Sequence, residues 1–324
     1  MRILFTGANH DSENWRKQSY SLANASHRMG HFVCSSFLDA PDVLICVDYH
    51  KRSEPLLSEA KNRGTPRVLI RQEPIVVQPQ HGKKKLLDRF ELVITRGNPR
   101  ERPQFNTFQE WDTSEIDNAT RFKRTVAISA NKWSMIPGEY YSLRRKAYSQ
   151  IDGIDVFGPG WNSSTMEEVM LVTKELVISL ASGVFPEVCN LKWSLIRPQS
   201  YLGVAASKIK TLSRYEVSLV IENSAGYMSE KLVDSILAGT IPVYVGENVE
   251  NFGIPAGLVI QAEPAVEAIR SAISQALNWD GHRYRMEAKA WAQSPGVKEN
   301  WENSCVSKKL LDYIESRFRV QKSS

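Results

Sequence analysis

Within ten residues, 222–231, the chain places two carboxylates (Glu222, Glu230), an amide (Asn223), a hydroxyl (Ser224), a phenol (Tyr227) and an ammonium (Lys231). Side chains of these types hold polar ligands: carboxylates and amides bond hydroxyls, and an ammonium meets an anion as a compact point charge. A connection that merely turned the chain would not need this set. The flanking residues say what positions it. Val217 to Ile221 are β-branched or apolar apart from Ser218, which suits a buried strand. Met228 to Ala238 has apolar residues at 228, 232, 233, 236 and 237, a helical stripe that Gly239 is placed to end. Ile241 to Val245 then returns as a second strand. The polar set therefore falls in the strand-to-helix loop of a βαβ unit, the end of the strands where open α/β sheets bind ligands.

The same stretch resembles the signature of the α-1,3/1,4-fucosyltransferase family (glycosyltransferase family 10). That signature is an apolar strand, Glu-Asn-Ser/Thr, a spacer, Tyr-x-x-Glu-Lys, then Gly-x-x-Pro-Val-x-x-Gly. Its elements here are Glu222-Asn223-Ser224, Tyr227 with Glu230-Lys231, and Gly239 through Pro242-Val243 to Gly246. Lys123 to Asn131 looks like the strand that opens the family's donor domain. Leu143 to Ile151 looks like its arginine-bearing helix, with Arg144 in the place of the donor-phosphate arginine and Arg145 as the adjacent alternative. Ile154 to Gly158 is similar to its Val-Asp-Val-Tyr-Gly strand. The resemblance runs over 123–260 and is weak before that, except at Arg67 to Pro74, where Glu73 occupies the position of the family's proposed general base. The chain departs from the pattern in a shortened loop between Ser224 and Tyr227, in Gly-Pro-Gly at 158–160, and in an unfamiliar N-terminal half.

The resemblance implies a bacterial-type inverting glycosyltransferase moving L-fucose from GDP-β-L-fucose to a glycan hydroxyl. In that reading Glu73 takes the acceptor proton. Arg144 and Lys231 stabilise the GDP leaving group, Glu230 holds the ribose hydroxyls, and Tyr227 lines the nucleotide pocket. Glu222 and Asn223 bond the sugar or order the loop. On the residues alone, Glu73 also reads as an exposed strand-end carboxylate and Arg144 as a solvated helix residue. His10, after the first strand, and Trp161, after Gly-Pro-Gly, are the acceptor-side candidates; a solvated histidine and a packed tryptophan are the alternatives, as packing is for Trp15 and Trp133. No Asp-x-Asp tripeptide occurs, so cations and helix N-termini are expected to stabilise the diphosphate without a metal. No GxGxxG pattern occurs either, so nothing supports a dinucleotide cofactor. The competing readings are a transferase of the same architecture using another nucleotide sugar, and a non-catalytic nucleotide- or glycan-binding protein on that fold.

At 324 residues the chain is long enough for two domains, and 42% hydrophobic with 24% charged residues is a globular composition. A net charge of +5, spread along the chain, does not argue for nucleic acid, and Lys83-Lys84-Lys85 lacks interleaved aromatics. Four cysteines (34, 46, 189, 305) have no metal-ligand spacing and read as free thiols of a reducing compartment. With no membrane-length apolar stretch and no signal-like start, a cytoplasmic protein is expected. A Golgi location would require an anchor outside this sequence, and peripheral membrane contact would accompany a lipid-linked acceptor.

Strand runs at Ile3–Thr6, Phe32–Ser35, Val43–Val47, Arg67–Arg71 and Leu92–Thr95 alternate with helix-compatible stretches, and a second such series starts at Val126. This alternation predicts α/β architecture with parallel sheets. Together with the resemblance it predicts two Rossmann-like domains facing a cleft, the GT-B architecture. The expected divisions are an acceptor-side domain at 1–122, a donor-binding domain at 123–290 and a helical tail at 291–324, with 98–123 as a polar crossing segment. Residues 161–213 carry one clear helix, Thr165–Leu180, and otherwise no clean period.

Overall fold

The computed structural model describes residues 1–7, 22–100, 103–106, 110–118, 120–181 and 196–319. The chain divides into two compact units, 1–110 with 298–324, and 111–297.

Unit 1 is built on five parallel strands, β1 (Arg2–Gly7), β2 (Phe32–Cys34), β3 (Val43–Val47), β4 (Arg67–Arg71) and β5 (Leu92–Thr95), in the order β2-β1-β3-β4-β5. Its helices are α1 (22–28), α2 (Glu54–Arg63) and α3 (Lys84–Leu87). Every residue of β3 is buried, as expected of a central parallel strand covered on both faces. One face packs Ile3, Val43, Ile45, Val68 and Ile70 against Leu22, and the other packs Leu44, Cys46 and Leu69 against Leu57 and Ala60.

Unit 2 has six parallel strands: β6 (Phe122–Ile128), β7 (Ile154–Phe157), β8 (Ser200–Tyr201), β9 (Tyr215–Ile221), β10 (Ile241–Val245) and β11 (Ile260–Gln261). They lie in the order β11-β10-β9-β6-β7-β8. The chain therefore winds outward from β6 in one direction, then restarts at β9 on the other side. The crevice between the carboxyl ends of β6 and β9 is the switch point at which doubly wound sheets bind ligands. The helices are α4 (Tyr141–Gln150), α5 (Thr165–Ala181), α6 (Lys208–Leu212), α7 (Lys231–Leu237), α8 (Val266–Ala276) and α9 (Gly281–Gln293). Gly158, at the end of β7, has φ +137, and a Cβ there would sit 2.1 Å from the Ser129 carbonyl oxygen. Only glycine allows β6 and β7 to end this close together.

The domain divisions differ from those expected. Within the expected crossing segment 98–123, Arg121 is held by unit 2: it donates to the carbonyls of Tyr215 and Ala238 and to the Thr240 hydroxyl. Trp111 lies against Trp291 with ring centroids 6.3 Å apart. At the other end, α10 (Val297–Trp301) leads into α11 (Asn303–Arg319), which is no independent tail. Its Leu310, Leu311 and Ile314 are buried in the unit 1 core.

Candidate functional site

The loop after β9 is organised by its first residue. Glu222 is fully buried, and its Oε1 accepts from the Ser229 amide (2.8 Å) and the Ser229 hydroxyl (3.1 Å). The Ser229 Oγ in turn accepts from Lys231 Nζ at 2.9 Å. A carboxylate, a hydroxyl and an ammonium thus form one relay across the loop. Burial raises the Glu222 carboxyl above its ordinary range, against the pull of Lys231 and Arg144. The helix α7 starts at Lys231 and not at Met228, and 228–230 stay outside it, with the Ser229 amide bonded to Glu222.

Arg144 comes to the same loop from α4. Its Nε donates to the Ile221 carbonyl at 2.8 Å, its Nη2 to Asn223 Oδ1 at 2.9 Å, and the guanidinium lies 5.0 Å over the Tyr141 ring. It is 2% exposed, which excludes the solvated-helix reading. The Tyr140 amide donates to the Asn223 carbonyl at 2.9 Å, and Glu139 bridges to Ser224. The start of α4 and the Glu-Asn-Ser segment are therefore tied together by backbone as well as side chain. Tyr227 is buried beside them in sequence.

Arg145 points elsewhere. Its guanidinium lies 4.9 Å over Trp133 and 5.8 Å over Trp161 and pairs with Glu168 of α5 at 3.3 Å, both partners 1% exposed. Glu168 also accepts from Asn131 (2.6 Å) and Arg197 (2.7 Å). Burial pulls the Arg145 pKa down to about 10. Trp161 belongs to this cluster. It is 2% exposed, donates to the Ser129 carbonyl at 2.7 Å and meets Tyr148 edge-on, so neither ring face is open to a sugar. The expected acceptor contact at Trp161 is replaced by packing. Trp133, 4% exposed, is packed likewise.

Glu230 occupies the N-cap position of α7 without capping it. Its carboxylate goes instead to Lys208 of α6, with Nζ to Oε1 at 2.9 Å. Partial burial opposes ionisation of Glu230, but the ammonium groups of Lys208 and Lys231 prevail and hold its carboxyl well below the usual range. No local pattern marks Lys208, because its partner lies 22 residues further along the chain.

In unit 1, Glu73 follows β4. Its amide donates to Asp48 Oδ1 at 3.3 Å, as the Gln72 amide does at 2.8 Å. Asp48 ends β3 in a left-handed conformation, φ 49, and is buried beside His81, whose Nδ1 lies 3.9 Å away. Burial and the Glu73 charge raise the Asp48 carboxyl to about 7, opposed by the two amides and Arg96. His81 accepts from the Tyr49 amide through Nε2, and burial lowers its pKa to about 4, so it is neutral near pH 7. Asp48 was not foreseen, since an aspartate after an apolar run reads as an ordinary strand end. His10 and Trp15 lie outside the described residues.

Unit 2 thus presents two cations, Arg144 and Lys231, with the amide of Asn223 and the carboxylates of Glu222 and Glu230, along one strand-to-helix loop at the switch point. That set can neutralise a polyanion and bond hydroxyl groups. Among the described residues no group of His, Cys, Asp or Glu side chains is placed to hold a metal ion, and no helix is long and apolar enough to cross a membrane.

Among solved structures, the chain is similar to Anabaena Alr3699/HepE in complex with UDP and glucose, at 12% identity over 98% of this chain and 100% of that one, TM-score 0.59. It is similar to an α1,3-fucosyltransferase at 12% identity over 98% and 90% of the two chains, TM-score 0.56. The two units have the GT-B fold of these glycosyltransferases. A third GT-B neighbour, an α-glucosyltransferase in complex with UDP and a 13-mer DNA, matches at 13% identity over 97% and 99% of the chains, TM-score 0.55. No family model and no curated sequence matches.

Proposed function

We propose that this chain is an inverting glycosyltransferase that moves L-fucose from GDP-β-L-fucose to a hydroxyl of a glycan acceptor. The observation that carries this reading is the convergence of Arg144 and the Glu222–Lys231 loop at the unit 2 switch point. In the reaction, the acceptor oxygen attacks the anomeric carbon as the bond from that carbon to the β-phosphate oxygen breaks. The bonding pair leaves with GDP, the acceptor proton passes to the Glu73 carboxylate, and the β-linked sugar becomes α-linked. Arg144 and Lys231 meet the charge growing on the diphosphate, which removes the need for a divalent metal. Lys231 would exchange its bond to Ser229 for one to phosphate, while Glu230 takes the ribose and Tyr227 lines the nucleotide pocket.

A second reading keeps the fold and changes the donor. It is favoured by the likeness to HepE with UDP and glucose, which is as strong as the likeness to the fucosyltransferase. Calorimetric titration with GDP-fucose, GDP-mannose and UDP-glucose, in EDTA, separates the two. Selective GDP-fucose binding that is lost in Arg144→Ala supports fucose transfer. Selective UDP-glucose binding moves the assignment to another sugar, and a requirement for divalent metal overturns the charge-stabilisation argument.

A further inference from the structure

Lys208 belongs to no part of the chemistry set out above, yet it is tied to it. It is the first residue of α6, after the Ser207 N-cap, and its ammonium reaches across to α7, bonding Glu230 Oε1 at 2.9 Å and Asp234 Oδ2 at 3.4 Å. The Lys208 and Glu230 side chains are partly exposed, 49% and 36%, and ion pairs this exposed contribute little to stability. Asp234 differs, being 9% exposed, and anchors the ammonium from the buried side. The arrangement is directional. Glu230 stands at the N-cap position of α7, makes no cap bond and reaches Lys208 instead. Lys208 engages one carboxylate oxygen, Oε1, and does not take Oε2.

We infer that Lys208 is a positioning residue: it fixes the Glu230 carboxylate in the orientation that receives the two ribose hydroxyls of the nucleotide. This rests on Glu230 being the ribose ligand. A flexible glutamate must lose side-chain freedom to make paired hydroxyl contacts, and a clamp already present in the free protein removes part of that loss. Lys208 therefore acts on the sugar-hydroxyl contacts and not on the base or the phosphates.

The test uses two ligands that differ only in those hydroxyls, GDP and 2′,3′-dideoxy-GDP, titrated calorimetrically into the full chain. Wild type is expected to prefer GDP by about tenfold or more, equivalent to one well-made hydrogen-bonded contact. Glu230→Ala abolishes the preference. Lys208→Met weakens GDP several-fold and leaves dideoxy-GDP unchanged, so the preference shrinks, and Lys208→Arg restores it. A purely structural tie between α6 and α7 would weaken both ligands alike. If Glu230→Ala removes the preference but Lys208→Met leaves it intact or weakens both ligands equally, the positioning role is wrong. If Glu230→Ala retains the preference, the ribose assignment of Glu230 fails instead, and the role of Lys208 falls with it.

Discussion

Arg144 and Arg145 are neighbours on α4, and the roughly 100° between successive helical residues sends them to different environments. Arg144 ends at the β9 carbonyl and Asn223; Arg145 ends inside the Glu168–Trp133–Trp161 cluster. Their substitutions should differ in what they do to binding. Arg144→Ala is expected to abolish nucleotide binding and also to lower stability, because it leaves the buried Ile221 carbonyl and Asn223 without their donor. Arg145→Met strands a buried carboxylate that Asn131 and Arg197 only partly satisfy, and should lower unfolding free energy by about 3 kcal/mol. Calorimetric titration beside denaturant unfolding distinguishes the two. Asp48 gives a pH signature. Its carboxyl is raised to about 7 in the folded chain, so between its unfolded value and pH 7 the native state holds a proton that the unfolded state has released. Stability contributed by this group is full at acid pH and declines as pH rises toward 7. Asp48→Asn keeps an oxygen for the amides of Gln72 and Glu73 and removes the charge. It should match wild type near pH 4 and exceed it at pH 8, by roughly 1.4 kcal/mol for each unit of the shift at most. Equal urea midpoints at pH 8 would contradict this.

At the scale of elements, the ends of β9 and β10 are shaped by Gly246. A Cβ there would lie 2.3 Å from the Tyr244 hydroxyl and 2.9 Å from Glu222 Cγ. Gly246→Ala should therefore cost about 1–3 kcal/mol, as overpacked sites do, and displace Glu222 enough to break its bonds to Ser229. Tyr244→Phe removes a buried hydroxyl that has no partner among the described residues and should offset part of the loss in the double variant. Thermal unfolding of the two single variants and the double one checks the coupling. In each unit, strands are legible in the sequence because parallel strands inside an α/β fold are written as short apolar runs: Val43–Val47, Arg67–Arg71 and Leu92–Thr95 in unit 1 and Ile241–Val245 in unit 2 stand where the pattern puts them. The failures have a common physical cause. Lys208, Asp48 and Ser229 owe their roles to contacts across the fold or across a loop, which local spacing does not record. Glycine-proline punctuation at 158–160 marked the end of β7 correctly, yet gave no sign that the following Trp161 turns inward.

For the whole molecule, the sequence pattern marks both α/β series but not the divisions between them, because 98–123 looks polar and 291–324 looks like a detachable helical tail. Arg121 spends its polarity on unit 2 carbonyls, and α11 spends its apolar side on the unit 1 core. Leu311→Ala should accordingly destabilise unit 1 by about 2–5 kcal/mol, the range for a buried leucine. Amide exchange should quicken in β1 and β3 while β6 and β9 keep their protection. The same wiring has a consequence during synthesis. Unit 2 is one uninterrupted stretch, whereas unit 1 lacks Leu310, Leu311 and Ile314 until translation has passed 314. The nascent chain therefore finishes its second-made half first, and its first-made half waits with a sheet face that Leu22 and Ala25 cover only in part. Protease added to stalled translation intermediates ending near 300, with enough linker to clear the ribosome, should spare 111–297 and cut within 1–110.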